Sequence, residues 1–235
     1  MGVPGRLGRV LSECGAALQV ALDMTGLWEA VRLASLLPRS SMVLLEAGTP
    51  LVKSMGLYNV VSALRGVAGD EGVVVADTKT VDAGALEARV AVDAGADAIT
   101  VVSAAHESTI REASRVASEA GAAVYVDLIT SRDPIGDAER ASEAGAHVVL
   151  LHTGVDVQAY QGLRATGFEG VVRELSGRGL TVAVAGGVKP GEAGRLVEAG
   201  ASIVIIGGGI TRASDPKAAA EEALESMRRA GASCR

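Results

Sequence analysis

Eight short aliphatic runs punctuate the chain: Leu18–Leu22, Met42–Leu45, Val73–Ala76, Ala98–Val102, Ala123–Val126, Val148–Leu151, Thr181–Ala185 and Ile203–Ile206. They are near-continuous in apolar residues, as strands of a parallel sheet are when both faces are covered. Between them lie segments with helical spacing, among them Val81–Ala94, Glu107–Ala120 and Gly191–Ala199. Strand and helix alternating in this way predict a parallel sheet under a layer of helices, and eight units close naturally into a single (β/α)8 barrel. Periodicity alone also fits an open doubly wound sheet.

An internal repeat marks the joints. The tetrad acid-Ala-Gly-Ala occurs at Asp93–Ala96, Glu119–Ala122, Glu143–Ala146 and Glu198–Ala201, each time just ahead of an aliphatic run. It predicts a helix that ends on a left-handed glycine and turns tightly into the next strand. No linker or low-complexity stretch interrupts the pattern. The expected organisation is one catalytic barrel over residues 16–230, with residues 1–15 as an N-terminal extension and a short tail beyond.

Composition narrows the picture. Hydrophobic residues make up 49% of the 235, yet aromatics are only 2%, so Val, Ile, Leu and Ala must fill the core. The formal charge of −6 and the scattered basic residues argue against a nucleic-acid partner. No apolar run is long enough to span a membrane and no signal-peptide pattern opens the sequence, so a cytoplasmic location is expected. Cys14 and Cys234 are the only cysteines. Two unpaired thiols are the expectation; because barrel termini can approach one another, a terminal disulfide is the alternative.

Candidate chemistry gathers at the ends of the runs. Asp23 follows the first, Glu46 the second, Asp77 and Lys79 the third, Asp127 the fifth and His152 the sixth. One Asp after a strand often only caps the next helix. Six polar positions on one rim point instead to the mouth where such barrels place their chemistry. Gly186-Gly187 and Gly207-Gly208-Gly209 follow the last two runs, where backbone N–H groups can approach a phosphate closely. Lys79 between Asp77 and Asp82 should stay an ammonium, which favours stabilising substrate charge over Schiff-base chemistry. Glu46 and Asp77 offer the hard oxygens that Mg²⁺ prefers, or else form a salt-bridged rim without metal. His152 is the histidine expected at the mouth, able to move a proton near neutral pH. His147 is expected to be structural, and His106 to be a solvated loop residue. The expected ligand is a small sugar phosphate.

The segment Asp77-Thr78-Lys79-Thr80-Val81-Asp82 resembles the Asp-x-Lys-x-x-Asp signature of the orotidine 5′-phosphate decarboxylase suprafamily. The likeness runs from about Leu18 to Met227. It includes Leu18–Asp23, Glu46-Ala47-Gly48-Thr49-Pro50-Leu51, His152-Thr153-Gly154-Val155-Asp156 with Gln158-Ala159, and Val184–Pro190. Within the suprafamily it is most similar to the 3-hexulose-6-phosphate synthases. Ala83-Gly84 stands where the orotidine enzymes carry Ile-Pro, and Gly208 where they and the 3-keto-L-gulonate-6-phosphate decarboxylases carry arginine. Thr78, where the synthases carry Leu, and His106-Glu107, in a loop commonly rich in Asp, depart from the pattern.

The resemblance implies a reversible Mg²⁺-dependent aldol reaction of formaldehyde with D-ribulose 5-phosphate through an enediolate. It further implies Glu46 and Asp77 as metal ligands, Lys79 as anion stabiliser and His152 as proton carrier. Asp23 and Asp127 would fix hydroxyls, and backbone at Gly186, Gly187, Gly207 and Gly208 would hold the phosphate. Asp82 would be shared across a homodimer interface. The alternatives are the keto-gulonate or orotidine decarboxylation, or a phosphate-binding barrel without turnover.

Overall fold

The computed structural model describes residues 2–234. Eight parallel strands form a closed barrel in sequence order: β1 (Ala17–Leu22), β2 (Val43–Ala47), β3 (Val73–Thr80), β4 (Ala98–Val102), β5 (Ala123–Asp127), β6 (Val148–His152), β7 (Val182–Ala185) and β8 (Ile203–Ile206). The ring closes where Ala17 to Val20 of β1 pair with Ile203 to Ile206 of β8. That closure excludes the open sheet. Every predicted run is a strand, and Glu46, Asp77, Lys79, Asp127 and His152 lie within the strands' last residues, because the ladders run on past the aliphatic stretch.

The helices are α1 (Gly5–Cys14), α2 (Leu27–Leu36), α3 (Thr49–Met55), α4 (Leu57–Ala68), α5 (Gly84–Asp93), α6 (Glu107–Glu119), α7 (Pro134–Glu143), α8 (Val155–Gln161), α9 (Glu169–Gly177), α10 (Ala193–Glu198), α11 (Gly208–Thr211) and α12 (Pro216–Arg229). The repeated tetrads behave as their chemistry dictates. Gly95, Gly121, Gly145 and Gly200 have φ of 102°, 72°, 101° and 107°. The amide of the alanine after each one donates back to the helix, as from Ala122 N to Ala117 O at 2.8 Å. Each helix thus ends in the six-to-one bond of a left-handed cap. Small side chains let the layers approach closely: a Cβ on Gly84 of α5 would lie 2.2 Å from Thr109 O of α6.

The N-terminal segment is more than a tail. Leu7, Val10 and Cys14 of α1 are buried, and Arg6 Nη1 pairs with Asp97 Oδ1 at 2.8 Å, just ahead of β4. Asp97 also receives Arg65 and the Val74 amide. This buried carboxylate locks the helix onto the floor of the barrel. The expectation of two free thiols is overturned, since Cys14 and Cys234 are disulfide-bonded. The reason is local: the chain after α12 returns beside the end of α1, with Ser233 N donating to Cys14 O at 3.0 Å. Closing so long a loop restricts the unfolded chain, a contribution of about 3–5 kcal/mol. Among the described residues no helix is long and apolar enough to cross a membrane.

Candidate active site

A cavity of about 670 Å³ opens at the C-terminal ends of the strands. Its lining includes Asp23, Glu46, Asp77, Lys79 and His152 on one side and Gly186, Gly187 and Gly207–Gly209 on the other. Sequence positions up to 186 apart are therefore brought to one mouth, as the barrel topology requires.

Strand β3 carries the central pair. Asp77 and Lys79 are two residues apart, so their side chains leave the same face. The strand is irregular here. Its register against β4 shifts between Ala76 and Thr80, and Lys79 takes φ 45°, a left-handed conformation that costs a non-glycine residue energy. Thr100 of β4 holds the distortion: Lys79 N donates to Thr100 Oγ1 at 2.9 Å, and that hydroxyl donates to Asp77 Oδ1 at 2.8 Å. Thr78, which departs from the synthase pattern, adds a bond: its hydroxyl donates to Thr100 O at 2.7 Å. The segment is pinned to its neighbour by side-chain hydroxyls.

Lys79 Nζ donates to both oxygens of Asp77, at 2.9 and 2.8 Å, and to Asp127 Oδ2 at 2.9 Å. Burial alone would lower its pKa, but Asp77 and Asp127 outweigh burial and hold it above the ordinary lysine value. A neutral amine is thus disfavoured, which removes Lys79 as a Schiff-base nucleophile. Asp77 Oδ2 accepts a further bond from Thr49 Oγ1 at 2.7 Å.

Asp127 lies deeper than the other candidates: it is completely buried and is not among the residues lining the cavity. Its Oδ1 accepts from Ile129 N at 2.9 Å, and Oδ2 meets both Lys79 Nζ and His152 Nδ1 at 2.9 Å. As the last residue of β5 it lies beneath the two side chains and positions them. Burial raises its pKa, but the bond to His152 and the charges of His152 and Lys79 prevail and lower it. An ionised Asp127 accepts the Nδ1 proton of His152, which leaves Nε2 as the free ring nitrogen.

Glu46 is buried on β2, and its Oε2 accepts from Gln19 Nε2 at 2.5 Å. Gln19 in turn accepts from the buried Tyr125 hydroxyl at 3.2 Å. Burial, then the charges of Asp77 and Asp23, push the Glu46 pKa well above the ordinary value. Among the described residues no side chain or amide donates to Asp23, which faces the mouth. Confinement among protein groups, then the charge of Asp77, raises its pKa too, against the pull of Lys79 and His152. Asp23, Glu46 and Asp77 bring hard carboxylate oxygens to the part of the cavity where Lys79 lies. The donor set therefore fits a hard divalent cation such as Mg²⁺, which needs few protein ligands because it keeps waters and substrate oxygens.

The glycine rim is shaped by close approach. A Cβ on Gly186 (φ 114°) would lie 2.4 Å from Thr153 O, and one on Gly187 (φ 69°) 2.6 Å from Gln158 Oε1. Their carbonyls are tied back, Gly186 O by Ala165 N at 2.8 Å and Gly187 O by Arg164 at 2.6 Å. Among the described residues, the amides of Gly186, Gly187, Gly208 and Gly209 donate no hydrogen bond within the chain. Four unpaired N–H groups on one rim are donors in want of an oxyanion.

The remaining candidates lie elsewhere. Asp82 is exposed beyond β3 and does not line this cavity. His106 caps α6, its Nδ1 accepting from Ser108 N, and lies on a separate cavity with Asp137 and Arg140. His147 is buried and accepts from Val124 N at 3.1 Å, and burial lowers its pKa. Sequence reasoning passed over Gln19, Thr49, Thr100, Tyr125 and Arg212. Gln19, Thr100 and Tyr125 had a signal, each a polar group inside an aliphatic run.

A closed barrel that gathers Lys79, Asp23, Glu46, Asp77 and His152 at the C-terminal ends of its strands has the architecture of a (β/α)8 enzyme with its site at that rim. The chain belongs to the orotidine 5′-phosphate decarboxylase / HUMPS family, whose profile matches residues 16–223. A 3-hexulose-6-phosphate synthase of Mycobacterium gastri is 38% identical over 205 residues, covering 87% of this chain and 96% of that protein. A bifunctional enzyme Fae/Hps of Methanospirillum hungatei is 37% identical over 210 residues, covering 89% of this chain and 52% of its own length. The chain thus spans about half the length of the bifunctional relatives it matches. A crystal structure of a 3-hexulose-6-phosphate synthase superposes with a TM-score of 0.83 at 37% identity, covering 90% of this chain and 99% of that one.

Proposed function

We propose that this protein is a cytoplasmic, homodimeric aldolase of the 3-hexulose-6-phosphate synthase type. It joins formaldehyde to D-ribulose 5-phosphate and gives D-arabino-3-hexulose 6-phosphate, reversibly. The observation that carries the reading is the fixed Lys79 ammonium between Asp77 and Asp127, in one cavity with Glu46 and His152. The relatives named 3-hexulose-6-phosphate synthase support it.

Each side chain has a task. The four unpaired glycine amides at the ends of β7 and β8 hold the phosphate, which lays the ketose across the mouth toward β3. Asp23, with no protein donor among the described residues, accepts from a sugar hydroxyl. His152 Nε2 takes the proton from C1, next to the C2 carbonyl, and Asp127 steadies the imidazolium that results. The electron pair left behind spreads into an enediolate, whose oxygens face the Lys79 ammonium. Such preorganised positive charge lowers the barrier most where charge develops. Glu46 and Asp77 would hold Mg²⁺, which would supply Lewis-acid stabilisation of the anion. C1 then attacks formaldehyde, forming a C–C bond as the C=O π bond opens, and the resulting alkoxide takes back the proton held on His152, which restores the neutral imidazole. Asp82, exposed and outside the cavity, acts in the mouth of the partner copy of the dimer.

The test is direct. Purified protein with D-ribulose 5-phosphate, formaldehyde and Mg²⁺ should form a hexulose phosphate, and EDTA should abolish the reaction until Mg²⁺ is restored. No product under these conditions, together with CO₂ release from 3-keto-L-gulonate 6-phosphate or orotidine 5′-phosphate, would assign the site to a decarboxylase instead. Binding of phosphate esters without turnover of any of them would leave only a binding barrel.

A further inference from the structure

Arg212 lines the cavity on the side of β8, one turn beyond Gly208. Its guanidinium lies directly over the Gly208 backbone: a Cβ added there would meet Nη2 at 2.2 Å and Cζ at 2.7 Å. The absence of a side chain at position 208 is what lets the guanidinium lie there. Arg212 has no salt bridge or side-chain hydrogen bond among the described residues, whereas Arg164 on the same rim is committed to Glu192 and Gly187 O. The cavity's other cations are placed differently. Lys79 is held by Asp77 and Asp127, and Lys53 belongs to α3, after β2. No carboxylate of the cavity lining is contributed by the chain from β6 onward; the acidic members are Asp23, Glu29, Glu46 and Asp77.

We infer that Arg212 is the side chain that recognises the charge of the phosphate, and that Gly208 and Arg212 work as a matched pair. This rests on the proposed sugar phosphate. The four unpaired amides supply hydrogen bonds but no formal charge, and a dianion held by amides alone would lack a counter-charge. Arg212 brings one to the same rim with the planar fork that suits phosphate oxygens. It is a substrate-binding residue: it holds the end of the molecule that does not react. Its loss should weaken binding and leave the chemical step close to intact.

Binding is measured by calorimetry with inorganic phosphate and with D-ribulose 5-phosphate, and turnover is followed in parallel. Arg212→Gln should weaken the binding of both about 10- to 100-fold, the worth of one charge-assisted contact. It should raise KM for the sugar phosphate by a similar factor while kcat changes less than about threefold. Gly208→Ala keeps the charge but pushes the guanidinium aside, and should weaken binding in the same direction. Wild-type affinity in Arg212→Gln for both ligands would overturn the inference while leaving the aldol reading in place. A wild-type protein that binds neither ligand would overturn both. A fall in kcat with unchanged KM would place Arg212 elsewhere in the reaction.

Discussion

Replacing Lys79 by alanine should lower kcat about a hundredfold or more, the scale of losing one preorganised charge-stabilising group. Three hydrogen bonds of 2.8–2.9 Å fix the ammonium, so little reorganisation remains to be done when negative charge develops on the substrate. The acid pair raises its pKa, so the group works as a constant positive charge and not as a proton carrier. Borohydride should accordingly trap no adduct between the ketose and the wild-type protein. Far-UV circular dichroism should show the variant folded, since the strand is also held by Thr78 and Thr100. A Lys79→Ala protein with near-normal kcat would remove the residue from the mechanism.

The second large effect is expected at Asp127. Alanine there leaves Lys79 with one anion fewer and His152 without its Nδ1 acceptor, inside a buried cluster. Breaking such a pair from one side costs about 3–5 kcal/mol, read as a fall in denaturant or thermal midpoint. Turnover should fall with it, since the imidazole loses the partner that fixes its tautomer. The pH dependence has a definite sign. The folded-state pKa of Asp127 is lowered, so its contribution is complete above the ordinary aspartate value of about 3.9 and is lost as pH falls through the folded value. Asp127→Asn should lack this part of the acid-unfolding slope. Wild-type acid sensitivity in that variant would show that Asp127 is not a main contributor to it.

Much of this architecture was legible because its signals are local. An aliphatic run flanked by acid-Ala-Gly-Ala predicts both a strand and the left-handed glycine that precedes it, and the φ of Gly95, Gly121, Gly145 and Gly200 follow. Position on the rim was legible as well, since a polar residue ending a buried strand has the mouth as its natural destination. Direction within the rim was not. Asp23 and Asp127 read alike in sequence, yet one opens on the cavity and the other lies beneath Lys79, a difference set by how each strand end sits in the closed ring. The disulfide joins residues 220 apart, and Arg212 matters through Gly208, whose lack of a side chain reads in sequence as only another turn glycine.

The crowding of Asp23, Glu46 and Asp77 has a consequence for the whole molecule. Asp23 and Glu46, whose folded pKa values are raised, oppose folding once the pH climbs past their ordinary values, so the mouth carries a cost in neutral solution. Any positively charged occupant that relieves this repulsion binds the native chain and not the unfolded one, and mass action passes the gain to the entire fold. If Mg²⁺ binds at Glu46 and Asp77 as proposed, the melting temperature should therefore climb with the concentration of free divalent ion.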